Sequence, residues 1–132
     1  MSIVRVKPGV RFDTIAPAGF RLLGAIERAA RHTGIPLMIT SACDGVHLGG
    51  TTDPHVTGEA YDIRTHGLTD AEKQTVLAAI LDGCRDDDDP PTVRASGGLA
   101  TPQFFGMVES PGSDTEHIHV QRRKGTHYGV IA

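Results

Sequence analysis

Tryptophan is missing from this chain, and only two tyrosines and four phenylalanines stand among its 132 residues. Its core must therefore be built from Leu, Ile, Val and Ala. Cysteine is scarce as well. Cys43 and Cys84 are too few for a disulfide framework or a four-cysteine zinc site, and buried free thiols are the expected state. No run approaches the roughly 18 apolar residues that span a bilayer, so no membrane helix is expected. Positive charge is not in excess: the formal net charge is -3, which gives no electrostatic reason for a nucleic-acid partner. The short basic stretch "RRK" at 122–124 reads as solvated surface. Charges interrupt "MSIVRVKPGVRFD" every few residues, so the beginning lacks a signal-peptide core and synthesis and folding in the cytoplasm are expected. There is no internal repeat. The length suits one domain over residues 1–132.

What is present is a sequence of alternating and helical patterns. "VRVKPGVRF" alternates and turns at Pro8-Gly9, as a short strand or extended arm does. From Ala18 to His32, Phe20, Leu23, Ile26 and Ala30 recur at helical spacing opposite Arg21, Glu27, Arg28 and Arg31, and Gly34 with Pro36 ends the helix. "PLMITS" over 36–41 reads as a buried strand. Residues 42–57 are rich in Gly, Thr, Asp and His without any period, and a loop of that length is commonly functional. "EAYDIRT" puts Tyr61 and Ile63 on one face and Ala60, Asp62 and Arg64 on the other. Thr69 and Glu72 form a capping box for a second helix carrying Val76, Leu77, Ile80 and Leu81 and ending at Gly83. "RDDDDPPTVRASGGLATP" has the composition of an exposed loop, and its acidic run lacks the spacing of an EF-hand. "QFFGMVES" and "EHIHVQ" read as a two-stranded meander with Ile118 and Val120 toward the core and His117, His119 and Gln121 away from it.

The candidate chemistry lies in "DPHVTGEAYDIR" and "TEHIHVQ". The spacing of His55 and Asp62 carries little alone, but its context carries more. Gly58 permits a tight reversal, which lets the loop fold the His55 imidazole back over the strand that holds Asp62. An antiparallel neighbour would bring His119 beside them. Two imidazoles and a carboxylate are a catalytic zinc set that leaves a fourth position for water. Glu116, three residues before His119, is the candidate general base, and His117 is the candidate stabiliser of an oxyanion. His32 and His127 are expected on the surface, and His66 in a loop.

"SACDGVHLGGTTDPHVTGEAYDIR" followed by "EHIHV" resembles the zinc D-alanyl-D-alanine metallopeptidases, the peptidase M15 group, which share a superfamily with phage L-alanyl-D-glutamate endolysins and the hedgehog fold. The signature S-x-H-x-x-G-x-A-x-D is met by "TDPHVTGEAYD" in all but the leading Ser, and "EHIHV" satisfies both later forms, E-x-x-H and H-x-H. The resemblance covers roughly residues 10 to 122. It implies that His55, Asp62 and His119 bind Zn2+, that Glu116 is the base and that His117 is the accessory histidine. Many members place an Arg shortly after the "ITS" strand to clamp a substrate carboxylate. "SACDGVH" stands there instead, which leaves Arg64 or Arg122 as substitutes. Ser41, Asp44 and His47 occupy substrate-side positions. Each also has a plainer reading: Ser41 ends its strand, Asp44-Gly45 is a turn signature, and His47 can hold its loop by hydrogen bonds.

The expected fold is therefore α+β, a small antiparallel sheet with two helices packed on one face and a zinc cleft on the other. The resemblance implies a zinc-dependent peptidase cutting the stem peptides of peptidoglycan, of phage or prophage character, acting at the bacterial cell wall. The alternative is a non-catalytic zinc-containing binding or assembly module of the same fold. A cupin barrel also uses H-x-H, but this chain lacks that fold's glycine-rich lead-in, later Glu and many strands.

Overall fold

The computed structural model describes residues 3–44, 53–85, 90–95 and 97–123. The expectations for His47, His127 and the acidic run 86–89 lie outside the described residues. The elements run β1 (Val4–Val6), α1 (Pro17–Thr33), β2 (Leu37–Ser41), β3 (Ala60–Arg64), α2 (Asp70–Gly83), β4 (Thr92–Val93), β5 (Leu99–Ala100), β6 (Phe104–Glu109) and β7 (His117–Arg122). The strands form one sheet in the order β1-β2-β3-β7-β6-β5-β4.

Alternation sorts the side chains of this sheet onto two faces. Tyr61 and Ile63 of β3, Phe104 of β6, and Ile118 and Val120 of β7 are all buried in one core with Leu22, Ile26, Leu77, Ile80 and Leu81 of the helices. The core is almost wholly aliphatic, as the shortage of rings requires. Burying each of its Leu, Ile and Val side chains stabilises the fold by about 1.5–3 kcal/mol. The opposite face carries Asp62 and Arg64 of β3, His117, His119 and Gln121 of β7, and Phe105, Met107 and Glu109 of β6. Register fixes their rows: Asp62 pairs with His119 and Arg64 with His117 across β3 and β7, while Met107 pairs with His119 and Glu109 with His117 across β6 and β7.

The α+β arrangement with two helices is as expected, but the sheet is neither small nor wholly antiparallel. It has seven strands, and β1 runs parallel to β2. The cause lies in α1, whose length carries the chain back to the end where it began, so the strand before it and the strand after it point the same way. The region read as an exposed loop supplies β4 and β5, which pair antiparallel with each other, while β5 also pairs with β6. The buried face of α1 is also turned from the expected one. Leu22, Ala25, Ile26, Ala29 and Ala30 are buried, whereas Phe20 is 62% exposed and Leu23 only half-buried. Small residues decide this, because Ala25 lies where α2 approaches at Gly83.

The ends of the helices follow their sequence signals. Gly34 closes α1 in the left-handed conformation at φ 72. At the start of α2 the Glu72 amide donates to Thr69 Oγ1 and the Thr69 amide donates to Glu72 Oε1, a complete capping box. Cys43 and Cys84 are buried free thiols. Among the described residues no helix is long and apolar enough to cross a membrane.

Candidate metal centre

Three strands and one loop deliver the site. The loop turns at Gly58, where φ is +77 and an added Cβ would stand 2.1 Å from the Thr14 carbonyl oxygen. Only glycine fits that position, and the reversal it allows returns His55 over β3. Asp53 Oδ1 accepts from the His55 amide at 3.0 Å, which fixes the turn from its other side.

The buried imidazoles of His55 and His119 and the half-buried imidazole of His117 then converge on one carboxylate. Asp62 Oδ1 is 2.9 Å from His119 Nδ1, 3.3 Å from His55 Nε2 and 3.6 Å from His117 Nε2. Of the expected trio, His55 and His119 each reach Asp62, with the two rings 5.2 Å apart between centroids, but His55 is not in the group whose donor atoms all lie within 4.8 Å of one another. Each imidazole turns its other nitrogen to an oxygen acceptor. His55 Nδ1 lies 2.8 Å from the Ala42 carbonyl, His117 Nδ1 2.8 Å from the Thr115 carbonyl, and His119 Nε2 2.7 Å from Gln121 Oε1. The Gln121 amide donates to the Arg122 carbonyl, which leaves its oxygen for His119. An oxygen acceptor holds the proton on the nitrogen that faces it, so in the neutral rings the lone pairs point inward. Inward lone pairs facing a carboxylate repel unless a cation lies between them, either a proton or a metal ion.

Glu109, which the sequence reading missed, completes the polar group. Its Oε1 is 2.8 Å from His117 Nε2 and 3.9 Å from His119 Nδ1. Asp62, Glu109, His117 and His119 place one donor atom each within 4.8 Å of one another and form a group able to hold a metal ion. His117, expected as an accessory histidine and oxyanion stabiliser rather than a ligand, stands inside this group.

Burial opposes charge on Asp62, but hydrogen bonds from His119 and His55 and the field of His117 outweigh it and hold the carboxyl well below the usual carboxylate range. Burial likewise opposes charge on His119. The bonds to Asp62 and Gln121 and the nearby Glu109 nevertheless raise its pKa.

Glu116 is placed differently. It precedes β7 by one position and shares the parity of Ile118 and Val120, so its carboxylate turns toward α2. Oε1 is 2.7 Å from Lys73 Nζ and accepts from Thr65 Oγ1 at 2.6 Å, and Oε2 accepts from the Gly112 amide at 2.9 Å. Lys73 first, then Thr65 and Gly112, lower its pKa to about 2. Glu116 stands at the rim of the cleft but outside the metal-capable group.

The substrate-side residues separate in the same way. Arg64 is exposed and lines a cleft of about 370 Å3 with Lys7, Thr40, Asp62 and His117. Arg122 is spent on Glu59, whose carboxylate receives both its Nε and, at 3.2 Å, its Nη2. Asp44 Oδ1 accepts from the amides of Ala42 at 2.9 Å and Arg11 at 3.3 Å, the work of a turn residue. That turn holds the Ala42 carbonyl under His55. Ser41 ends β2 opposite Asp62, just past an irregularity in the pairing. No protein-family model matches the chain, and neither a curated protein nor a solved structure does.

Proposed function

We propose that this protein is a zinc-dependent peptidase acting on peptidoglycan stem peptides, with His55, Asp62 and His119 as the metal-holding set. One observation carries the reading: three imidazoles and a carboxylate converge with every outward imidazole nitrogen already on an oxygen. The spacing suits the ion, because donors about 2.0–2.1 Å from a tetrahedral zinc lie roughly 3.3 Å from one another. Within that set Asp62 Oδ1 stands 2.9 Å from His119 Nδ1 and 3.3 Å from His55 Nε2, at or somewhat inside that value. Two imidazoles and a carboxylate suit zinc better than calcium or magnesium, which prefer all-oxygen sites. The choice of peptidoglycan rests on the motif resemblance in "TDPHVTGEAYD" and "EHIHV". When bound, zinc would supply Lewis acidity toward the scissile carbonyl and an activated water.

The chain's own residues divide the remaining work. Asp62 keeps its negative charge, Ala42 and Gln121 orient the imidazoles, and Arg64 stands at the cleft wall to meet a substrate carboxylate. Two carboxylates are candidates for moving the proton from water to the leaving amine. Glu116 is the motif's choice, but three donors already occupy it and weaken it as a base. Glu109 faces the centre, and its bond to His117 gives a proton a route along the pair.

The occupied state of Glu116 favours one second reading, a non-catalytic metal-containing binding or assembly module. Digestion of purified muropeptides, followed by mass spectrometry with and without a chelator, separates the two. Chelator-sensitive cleavage is expected, and intact muropeptides with zinc demonstrably bound would overturn the peptidase. Glu109→Gln and Glu116→Gln then assign the base. We expect Glu109→Gln to bind zinc and lose at least about a hundredfold in kcat, with Glu116→Gln losing less than tenfold. The reverse order would return the base to Glu116.

A further inference from the structure

The polar face of the sheet changes sign along one row. From β6 to β1 it reads Glu109, His117, Arg64, Met38, Arg5. Pairing sets Glu109 opposite His117 and His117 opposite Arg64. Ile39 lies opposite Ile63, so Met38 and Arg64 are neighbours, and Arg5 is opposite Met38. Lys7 lies just past the end of β1, two residues on from Arg5, with its amide bonded to the Ile39 carbonyl.

Two adjoining clefts follow this row and share Arg64 and His66 as a common wall. The one nearer the metal-capable group holds Lys7, Asp62 and His117. The other, of about 320 Å3, is floored by Ile3, Met38 and Leu68 and holds Arg5. Arg5, Lys7 and Arg64 are exposed, and among the described residues their side chains take part in no hydrogen bond or ion pair. Three uncompensated cations on one face of a chain with net charge -3 form a local positive field. The other charged groups facing the trough are Asp114, Glu116 and Asp62, and the last two are occupied by their own partners.

We propose that this trough binds an extended acidic peptide through two carboxylates, one held by Arg64 and Lys7 beside the metal-capable group and the other by Arg5, with apolar contact on Met38 between them. The proposal deepens the peptidase reading and rests on it for the trough's identity as a substrate cleft, while the binding step itself requires no metal. Size supports it. Strands lie about 4.8 Å apart, so β1 and β3 present their cations roughly 10 Å apart. Three extended residues span about the same length. Guanidinium groups also match carboxylates two hydrogen bonds at a time.

The test uses acetyl-glutamyl-alanyl-alanine and its three amidated forms, with the side-chain carboxyl, the terminal carboxyl or both replaced by amides. Calorimetric titration into the full chain in EDTA removes any contribution from a bound metal and any hydrolysis. We expect each lost carboxylate to weaken binding about fivefold, the upper range for an exposed ion pair. Arg64→Gln and Arg5→Gln should each abolish sensitivity to one carboxylate, and added salt should compress all the differences. Four peptides binding within a factor of about two of one another, or both variants discriminating as the wild type does, would overturn the trough. The discriminating pattern without muropeptide cleavage in zinc would leave the trough standing and remove the peptidase.

Discussion

At the scale of single residues, the centre depends on groups that touch no ion. Gln121 reaches His119 on the side away from Asp62, at 2.7 Å, and its oxygen keeps that ring's proton on Nε2 so that Nδ1 faces inward. Replacing Gln121 by Leu conserves volume and removes the acceptor. We expect zinc affinity to fall about 10–100-fold while the far-ultraviolet circular dichroism is unchanged, and competition with a chromophoric chelator measures it. Unaltered affinity would mean that the amide does not set the tautomer. Glu116 makes a different prediction. Its pKa stands near 2 in the fold against 4.5 ordinarily, with Lys73 the leading cause. A depressed carboxyl stabilises the fold fully above its ordinary pKa, and that contribution is lost as pH falls from about 4.5 toward 2. Urea midpoints measured from pH 6 to pH 2 should therefore fall more steeply for wild type than for Lys73→Met. Parallel curves would detach Glu116 from Lys73.

At the scale of elements, the loop that delivers His55 hangs on Gly58. Ala in its place meets a positive φ and the Thr14 carbonyl together. The conformation alone costs about 1–3 kcal/mol, and relief of the clash must move the loop. We expect Gly58→Ala to lower the urea midpoint and weaken zinc binding together, whereas Gly67→Ala, at a positive φ but in open space, should affect stability alone. Element by element, legibility in the sequence followed the strength of the local signal. β3, β7 and both helices were readable because alternation, a capping box and a closing glycine each specify one structure. β4 and β5 were not, since two residues hold no period and their pairing is set by β6. The face of α1 is set by smallness rather than bulk, a signal that apolar periodicity does not weigh, and Ala25 is what meets Gly83 of α2. Glu116 could have been placed from parity alone. A strand turns residues three apart to opposite faces, and the motif spacing to His119 obscured that. Glu109 needed the register of β6 on β7, which no local pattern supplies.

At the scale of the whole molecule, the sheet has two unlike faces, and its stability should divide accordingly. The helix-covered face holds the aliphatic core, and we expect that core to carry the fold without metal. The other face brings inward-pointing imidazoles against Asp62 and Glu109, an arrangement that needs a cation to be at rest. Zinc should therefore raise stability without creating the fold, unlike a zinc finger, in which metal and folding are inseparable. For an ion that binds the native state alone, free zinc at about a hundred times its dissociation constant adds about 2.7 kcal/mol, or several degrees in Tm. Thermal unfolding in EDTA should thus show one cooperative transition, moved upward by zinc in proportion to the logarithm of its free concentration. In His119→Ala the zinc-dependent shift should vanish. Its transition in EDTA should lie below that of wild type, because the buried imidazole removed also bonds Asp62 and Gln121, which lose that partner. A wild-type chain that fails to fold in EDTA would make the metal a structural element, and a Tm indifferent to zinc would leave the imidazoles and their carboxylates without an ion to share.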